Sequence, residues 1–498
     1  MRESPLNCRR LLGGRTSREG ILAGGNQRLE NLLDRLDALS FAIHDLWKTT
    51  ATLSVEIHTG GISDGSLWCA HDVGDPTGLV YDFATTLPAR RAREWLPSGS
   101  QTFAASRPLA GASCWCVDAT ENEHHMMMPP QRHAERQANL LNLLRETDVD
   151  AMLVTGVSNV TYLTGFSGDS SALLIGPSVR VLISDSRYQT QIAEECPGLE
   201  ADIRTQKTKQ PDQIASVVSR AKPAKLALES HIVTADEFAR LSDAIGKTDS
   251  GKSIEIKPLA SVVEKLRQVK DEFEIAETRQ AIKIAEQGFQ AFRSIFLSAD
   301  DACAVTEKNA AHSLEHLMRS LGADRAAFDI IVAVGDRSAL PHYRAGERRI
   351  SEAPFVLIDW GAALPSGYRS DLTRVLATGT VPDQLQELHG VVLKAQLAGI
   401  AAIRPGAKLK DVDAAARRVI EEAGFGEFFG HGLGHGIGLH IHEEPRLSSV
   451  AEGELQPGNI VTVEPGIYLP NFGGVRIEDD VLVTPDGHEV LSSLPKSL

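Results

Sequence analysis

Two short apolar runs in this chain end in an acid. Phe355-Val356-Leu357-Ile358 leads into Asp359, and Val461-Thr462-Val463 leads into Glu464 at a Pro-Gly turn. A continuous apolar run of this kind is the pattern of a strand buried on both faces. A carboxylate at the end of such a strand is costly unless something pairs it. Asp371 follows Asp359 by twelve residues, across Pro365-Ser366-Gly367. The spacing predicts a hairpin that brings the two acids together. Adjacent carboxylates repel, which calls for a cation or a shared proton. Taken alone, the pair fits a surface hairpin with unrelated acids equally well.

Residues 431–443 read HGLGHGIGLHIHE, with His431, His435, His440 and His442 inside twelve positions and glycine at every second position from 432 to 438. That much glycine rules against a helix. In extended chain His431, Leu433, His435, Ile437 and Leu439 would share a side, and the glycines would let another backbone approach closely. His442-Glu443-Glu444-Pro445 has no second histidine and runs into proline, so the helical HExxH zinc motif is excluded. In Val475-Arg476-Ile477-Glu478, strand alternation puts Arg476 and Glu478 on one face, where Arg476 could orient or balance Glu478.

Together these groups give Asp359, Asp371, His435, Glu464 and Glu478. Four carboxylates are neutralised by two divalent cations, whereas one cation leaves two negative charges over. The arithmetic favours a two-metal site, and oxygen-rich ligation with one imidazole suits Mn, Co or Zn. Two such ions can bridge a water, lower its pKa and polarise a carbonyl. His342 and His442 remain as candidate proton donors or hydrogen-bond donors to a tetrahedral intermediate.

The elements that must position these residues fall into two regular regions. Residues 132–260 read as α/β, with an amphipathic helix at Arg132–Arg145, a strand at Ala151–Thr155 and a hairpin of Ser171–Ile175 with Arg180–Ile183 around Gly176-Pro177-Ser178. A further strand at Lys225–Leu228 and a helix at Asp236–Ala244 follow. Asn159-Val160-Thr161 matches a glycosylation acceptor by chance. Val262–Phe296 is strongly helical, and its length, with Gly288 inside, predicts two helices opening a second domain that runs over 262–498.

Residues 1–128 differ. They hold Cys8, Cys69, Cys114 and Cys116 of the six Cys, and Trp47, Trp68, Trp95 and Trp115 of the five Trp, with no sustained period of 2 or 3.6. The reading preferred here is an unstructured extension, or upstream sequence outside the working protein. A small extra domain is the alternative. A zinc site of Cys114, Cys116, His124 and His125 is weaker still, because the Cys spacing is one residue short.

Composition sets the outer limits. The 498 residues are 42% hydrophobic and 23% charged, an ordinary globular balance. The net charge of −15 disfavours nucleic acid or an anionic membrane as partner. No apolar run reaches the roughly 20 residues of a membrane span. The basic N-terminus is not followed by a signal-peptide apolar stretch, and the six Cys form no disulfide framework, so a reducing cytoplasm is expected.

Asp359-x-Gly361, Ser370-Asp371-x-Thr373-Arg374, the His431–Gly438 run, His442-Glu443, Glu464-Pro465-Gly466 and Arg476-Ile477-Glu478-Asp479 together resemble the pita-bread metallopeptidases. The nearest pattern is the Xaa-Pro branch, prolidase and aminopeptidase P, which Ser338-Ala339-Leu340-Pro341-His342 also fits. The likeness covers 132–498. It implies a creatinase-like α/β N-terminal domain over 132–260 and an α+β pita-bread catalytic domain over 262–498. It implies a dinuclear Mn, Co or Zn site, Mn foremost, in a cytoplasmic homodimer that hydrolyses the bond between an N-terminal residue and proline by a metal-bridged hydroxide. The substrates are small peptides with proline second. By resemblance Asp371 and Glu478 touch both metals, Asp359 one, and His435 and Glu464 the other. His342, His431 and His442 bind substrate or line the site, His342 and His442 assist proton transfer, and Arg476 supports Glu478.

The chain departs from the pattern in two places. The Asp359–Asp371 gap is one residue longer than the family's usual spacing, with the extra residue expected in the Ala363–Gly367 turn, and Tyr343 stands where many relatives have a small residue. Methionine aminopeptidase uses the same ligand types but usually lacks the extra domain. Creatinase keeps the fold without the metal set. Non-catalytic peptide-binding modules on this fold lose ligands that this chain retains.

Overall fold

The computed structural model describes residues 55–59, 69–73, 130–296 and 305–498. The chain divides into two compact units, Met1–His125 and Met126–Leu498. In the first, strands Val55–Thr59 and Cys69–Val73 pair antiparallel with Val55 opposite Val73. The rest of the expectation for 1–128, and the Cys114, Cys116, His124 and His125 set, lie outside the described residues.

The second unit begins with helix Pro130–Glu146 and a six-stranded sheet. The order across the sheet is Glu200–Arg204, Val179–Asp185, Ala172–Gly176, Ala151–Val154, Lys225–Glu229, Glu255–Leu259. The Ala172 strand runs antiparallel to both neighbours, as the hairpin reading required, and the other pairs are parallel. Alternate residues of one strand feed two cores. Met152 and Val154 pack with Leu140 and Leu144 of the first helix, and Leu153 packs with Ile214 and Val218 of helix Gln210–Ala221. Covering on both faces explains why these strands read as unbroken apolar runs. Helix Val157–Thr164, which Ser158-Asn159 disguised as punctuation, lies between the first two strands in sequence. Asn159 is buried and fully engaged by Glu229, Glu264 and Arg267, so the apparent glycosylation acceptor is closed.

The long helical stretch is two helices, Val262–Gln268 and Glu272–Phe296. The break is at 269–271, not at Gly288. Asp271 Oδ1 accepts from the backbone N–H of Phe273 and Glu274, and Glu274 Oε2 accepts from Asp271 N, a reciprocal cap that starts the second helix. Gly288 serves packing instead, since a Cβ there would stand 2.7 Å from Met318 Cγ.

In the catalytic region, strands Ile331–Val334, Phe355–Trp360 and Leu372–Ala377 form one antiparallel sheet. Glu443–Leu447, Gly434–Gly436, Ile460–Val463, Asp479–Thr484 and Gly487–Val490 form another, and Gly466–Leu469 pairs with Gly473–Arg476. Helices Asp383–Ala402 and Leu409–Glu422 pack on the side of Phe355 and Leu357, through Leu388, Val392, Val412 and Ala416. Helices Glu272–Phe296 and Glu307–Ser320 pack on the side of Val356, Ile358 and Trp360. The first of these sheets lies between the two helix pairs, and the second packs one face on helices Asp383–Ala402 and Leu409–Glu422, the expected α+β arrangement. An isolated bridge between Thr373 and Glu478 stitches the two main sheets together.

Candidate metal centre

That stitch is where the acids meet. The six residues Phe355–Trp360 are all buried, and Asp359 lies opposite Thr373 in the hairpin. The connection back is tight. A Cβ on Gly361 would overlap the Ser370 carbonyl oxygen, so only glycine fits there. Ser370 and Ala362 exchange hydrogen bonds at 3.0 Å, and Asp371 N then donates to Asp480 Oδ2 at 3.1 Å.

His435 sits in the three-residue strand Gly434–Gly436. A Cβ on Gly434 would overlap the Thr462 carbonyl oxygen, and one on Gly436 that of Glu444, which is the close approach the glycine spacing called for. The alternation is shorter than expected. A register shift falls inside the strand, and Leu433 and Ile437 enter separate cores on either side of His435. His435 Nδ1 lies 3.1 Å from the Gly436 carbonyl oxygen, which can accept a hydrogen bond from Nδ1–H and leave Nε2 a free lone pair. That Nε2 is 3.2 Å from Glu464 Oε1 and 3.7 Å from Asp371 Oδ2. Ligand atoms of Asp371, His435 and Glu478 all lie within 4.8 Å of one another.

Two residues without a role in the sequence reading complete the geometry. Thr373 Oγ1 donates to Glu478 Oε2 at 2.8 Å and accepts from Arg476 Nε at 3.1 Å. Tyr468 Oη accepts from Arg476 Nη1 at 2.8 Å and lies 3.0 Å from His431 Nε2. Arg476 Nη2 pairs with Asp359. Arg476 thus adds an ion pair with Asp359 to the support expected for Glu478, which it reaches through Thr373 and draws down by its charge.

The donor set fits cations. Asp371 and Glu478 are pushed well above the usual carboxylate range, by burial first and by neighbouring acids second. Arg476 relieves Asp359 at one oxygen only. Its Oδ1 is buried with no hydrogen-bond partner, an acceptor left for a positive ion.

One cavity of about 500 Å³ is lined by Asp359, Asp371, His435, Glu464, Glu478 and Arg476. His342, His431 and His442 line it too, so all nine residues singled out in the sequence reach one space. His442 and His342 stand at its exposed edge, and the His442 ring packs edge-on to His435 at 4.5 Å. Arg344 and Arg446, which the sequence reading passed over, bring positive charge to the same wall. Tyr343 Oη donates to Glu307, so the bulky residue beside His342 ties its loop to helix Glu307–Ser320.

Residues 276–485 match metallopeptidase family M24, and residues 136–269 match the creatinase/prolidase N-terminal domain. The uncharacterized peptidase YqhT of Bacillus subtilis is 40% identical over 359 residues, which is 72% of this chain and 98% of that protein. Among solved structures, the Xaa-Pro dipeptidase from Bacillus anthracis is 38% identical with a TM-score of 0.69, over 74% of this chain and 99% of that one. The X-Pro aminopeptidase from Thermotoga maritima is 37% identical with a TM-score of 0.64, over 72% of this chain and 99% of that one. The chain belongs to metallopeptidase family M24, a family of metal-dependent hydrolases.

Proposed function

We propose that this M24 member hydrolyses the peptide bond between an N-terminal residue and a following proline. The observation that carries the reading is the convergence of four carboxylates and His435, with an undonated Asp359 oxygen, in a cavity shared with three further histidines. The names of the similar dipeptidase and aminopeptidase supply the proline preference.

Asp359, Asp371, His435, Glu464 and Glu478 would hold two divalent cations, with Mn the best fit and Co or Zn next. When bound, these ions lower the pKa of a water and polarise the scissile carbonyl. The chain does the positioning. Thr373 and Arg476 each occupy one oxygen of Glu478 and Asp359, so the other oxygen is free to ligate. The Gly436 carbonyl fixes the His435 tautomer. His342 and His442, at the cavity edge, hydrogen-bond the peptide and move a proton to the leaving proline nitrogen. His431, seated by Tyr468, lines the substrate pocket.

The same reading includes a cytoplasmic homodimer that acts on small peptides and not on nucleic acid or a membrane. The charge of −15 supports the exclusion of nucleic acid and anionic membranes, and no helix among the described residues is long and apolar enough to cross a membrane.

The test is an assay of the Mn-loaded protein on an Xaa-Pro dipeptide beside an Xaa-Pro-Xaa tripeptide. Cleavage of the dipeptide alone makes it a dipeptidase, and cleavage of the tripeptide makes it an aminopeptidase. Cleavage of neither by metal-loaded protein overturns the reading.

A further inference from the structure

His442 and Glu443 are sequence neighbours that serve different sides of one loop. His442 lines the cavity. Glu443 opens strand Glu443–Leu447, and its side chain is 7% exposed. Two cations meet it there. Arg267 Nη2 donates to Oε1, and Lys270 Nζ lies 3.2 Å from Oε2, with the Arg267 and Lys270 side chains 2% and 0% exposed. The backbone N–H of His440 also donates to Oε1, at 3.0 Å, which draws the loop tight. A Cβ on Gly438 would come within 2.9 Å of Oε2, so the last glycine of the run makes room for this carboxylate.

The cations belong to the joint between domains. Arg267 is on helix Val262–Gln268, and Lys270 follows it, its N–H donating to the Gly458 carbonyl at 2.8 Å. Arg267 Nη1 donates to Asn159 Oδ1 at 2.7 Å, and Asn159 Nδ2 donates to Glu229 Oε1 at 2.7 Å. Glu229 in turn accepts from the Thr155 and Gly156 backbone at the end of strand Ala151–Val154. A continuous buried network thus runs from the N-terminal sheet to the residue beside His442. Ser158 Oγ adds a contact of 2.8 Å to His440 Nε2 at the rim.

A buried ion cluster gains little stability over apolar packing, because desolvation cancels most of the attraction. What it does supply is fixed geometry. A group that must meet a reacting carbonyl needs that, since a misplacement of about 1 Å can cost roughly 100-fold in rate. We propose that Glu443, clamped by Arg267 and Lys270, is a positioning residue that sets His442 over the site. This rests on the reading of His442 as a substrate-contacting group. It makes the domain joint part of the catalytic geometry.

The test is a double-mutant cycle of Lys270→Met or Glu443→Gln against His442→Ala in the metal-loaded full chain. Lys270→Met retains the Arg267–Glu443 pair, so it keeps the cycle usable if Glu443→Gln does not fold. Lys270→Met is expected to lower kcat on an Xaa-Pro peptide about 10-fold, with KM within about twofold and metal content unchanged. In the His442→Ala background the same substitution should cost less than about twofold, because its route is already gone. An undiminished further loss in that background, or loss of metal, overturns the proposal. A second readout needs no substrate. In Zn-loaded protein labelled with 15N-histidine, the His442 signal, identified by its absence in His442→Ala, should move in Lys270→Met while His435 stays. A stationary His442 signal overturns the proposal whatever the substrate is. A shifted signal in Lys270→Met, beside a wild type that cleaves no Xaa-Pro peptide, overturns the substrate reading and leaves the positioning intact.

Discussion

Arg476, the last residue of strand Gly473–Arg476, reaches across the sheets to pair with Asp359. Its other arms hold Thr373 and Tyr468. Arg476→Ala therefore leaves a buried acid without its cation. Breaking a buried pair in this way costs about 3–5 kcal/mol. The loss should be largest in chelated protein and smaller after metal loading, because bound cations restore positive charge beside Asp359. Urea unfolding with and without chelator checks this. Equal losses in the two states would mean that Asp359 does not face a metal.

Asp371 is crowded by Glu478, Asp359, Glu464 and Asp480. Asp371→Ala should abolish metal binding and nearly all turnover. The metal-free fold should survive, since one of several repelling acids is gone. Chelation should lower the Tm of the wild type and leave that of the variant unchanged. A variant that retains two ions and normal activity would remove Asp371 from the ligand set.

His442 stands beside the acid cluster without belonging to it, its ring against that of His435. His442→Ala should keep its metal and lose about 10²–10⁴-fold in rate, the usual scale for a lost acid–base group. Metal analysis alongside kinetics separates the outcomes. Loss of metal would make His442 a ligand.

The acids were legible because their surroundings in sequence made them expensive. Asp359 and Glu464 each close an apolar strand, and glycine on alternate positions around His435 announced another backbone pressed close. What escaped was pairing across distance. Arg476 and Asp359 are 117 residues apart, and their strands meet where Thr373 and Glu478 bridge. Sequence alternation pointed to Glu478 because it was two positions away. The helix joint at 269–271 carried its own signal, Asp271-x-x-Glu274, but unbroken helical periodicity on both sides hid it. Helix Val157–Thr164 is only eight residues long, too short for a period of 3.6 to stand out beside Ser158-Asn159.

The loop that carries His342 has its own buried anchor. Glu307 is fully buried and accepts from Val334 N at 2.9 Å, Gly346 N at 3.0 Å and Tyr343 Oη at 2.8 Å. Tyr343→Phe keeps the ring and removes one of the three donors. Stability should fall by about 1.5–3 kcal/mol, the scale of one hydrogen bond to a carboxylate. Metal content should not change, and KM should rise as His342 loosens. Thermal unfolding and steady-state kinetics on an Xaa-Pro peptide measure the two effects. An unchanged KM would take His342 out of substrate binding.

The last prediction concerns residues 1–125. Apart from a short helix-like patch at Leu29–Leu39, their sequence carries no sustained helical or strand period, and the structure describes only the paired strands Val55–Thr59 and Cys69–Val73 among them. A segment without a patterned apolar face has little to offset its ordering entropy. Every candidate site residue lies beyond 340, and the unit that holds them all spans Met126–Leu498. The matched N-terminal domain begins at residue 136, within helix Pro130–Glu146. That helix is anchored by its own contacts inside the second unit: Arg136 Nη1 donates to the Tyr162 carbonyl at 3.1 Å, and Gln137 Nε2 to the Leu163 carbonyl at 2.8 Å. A chain beginning at Met126 starts upstream of all of these contacts. It should fold with the Tm of the full chain, bind the same metal and cleave Xaa-Pro peptides at the same kcat/KM. If it aggregates or loses activity while the full-length protein works, the first 125 residues are a domain that the enzyme needs.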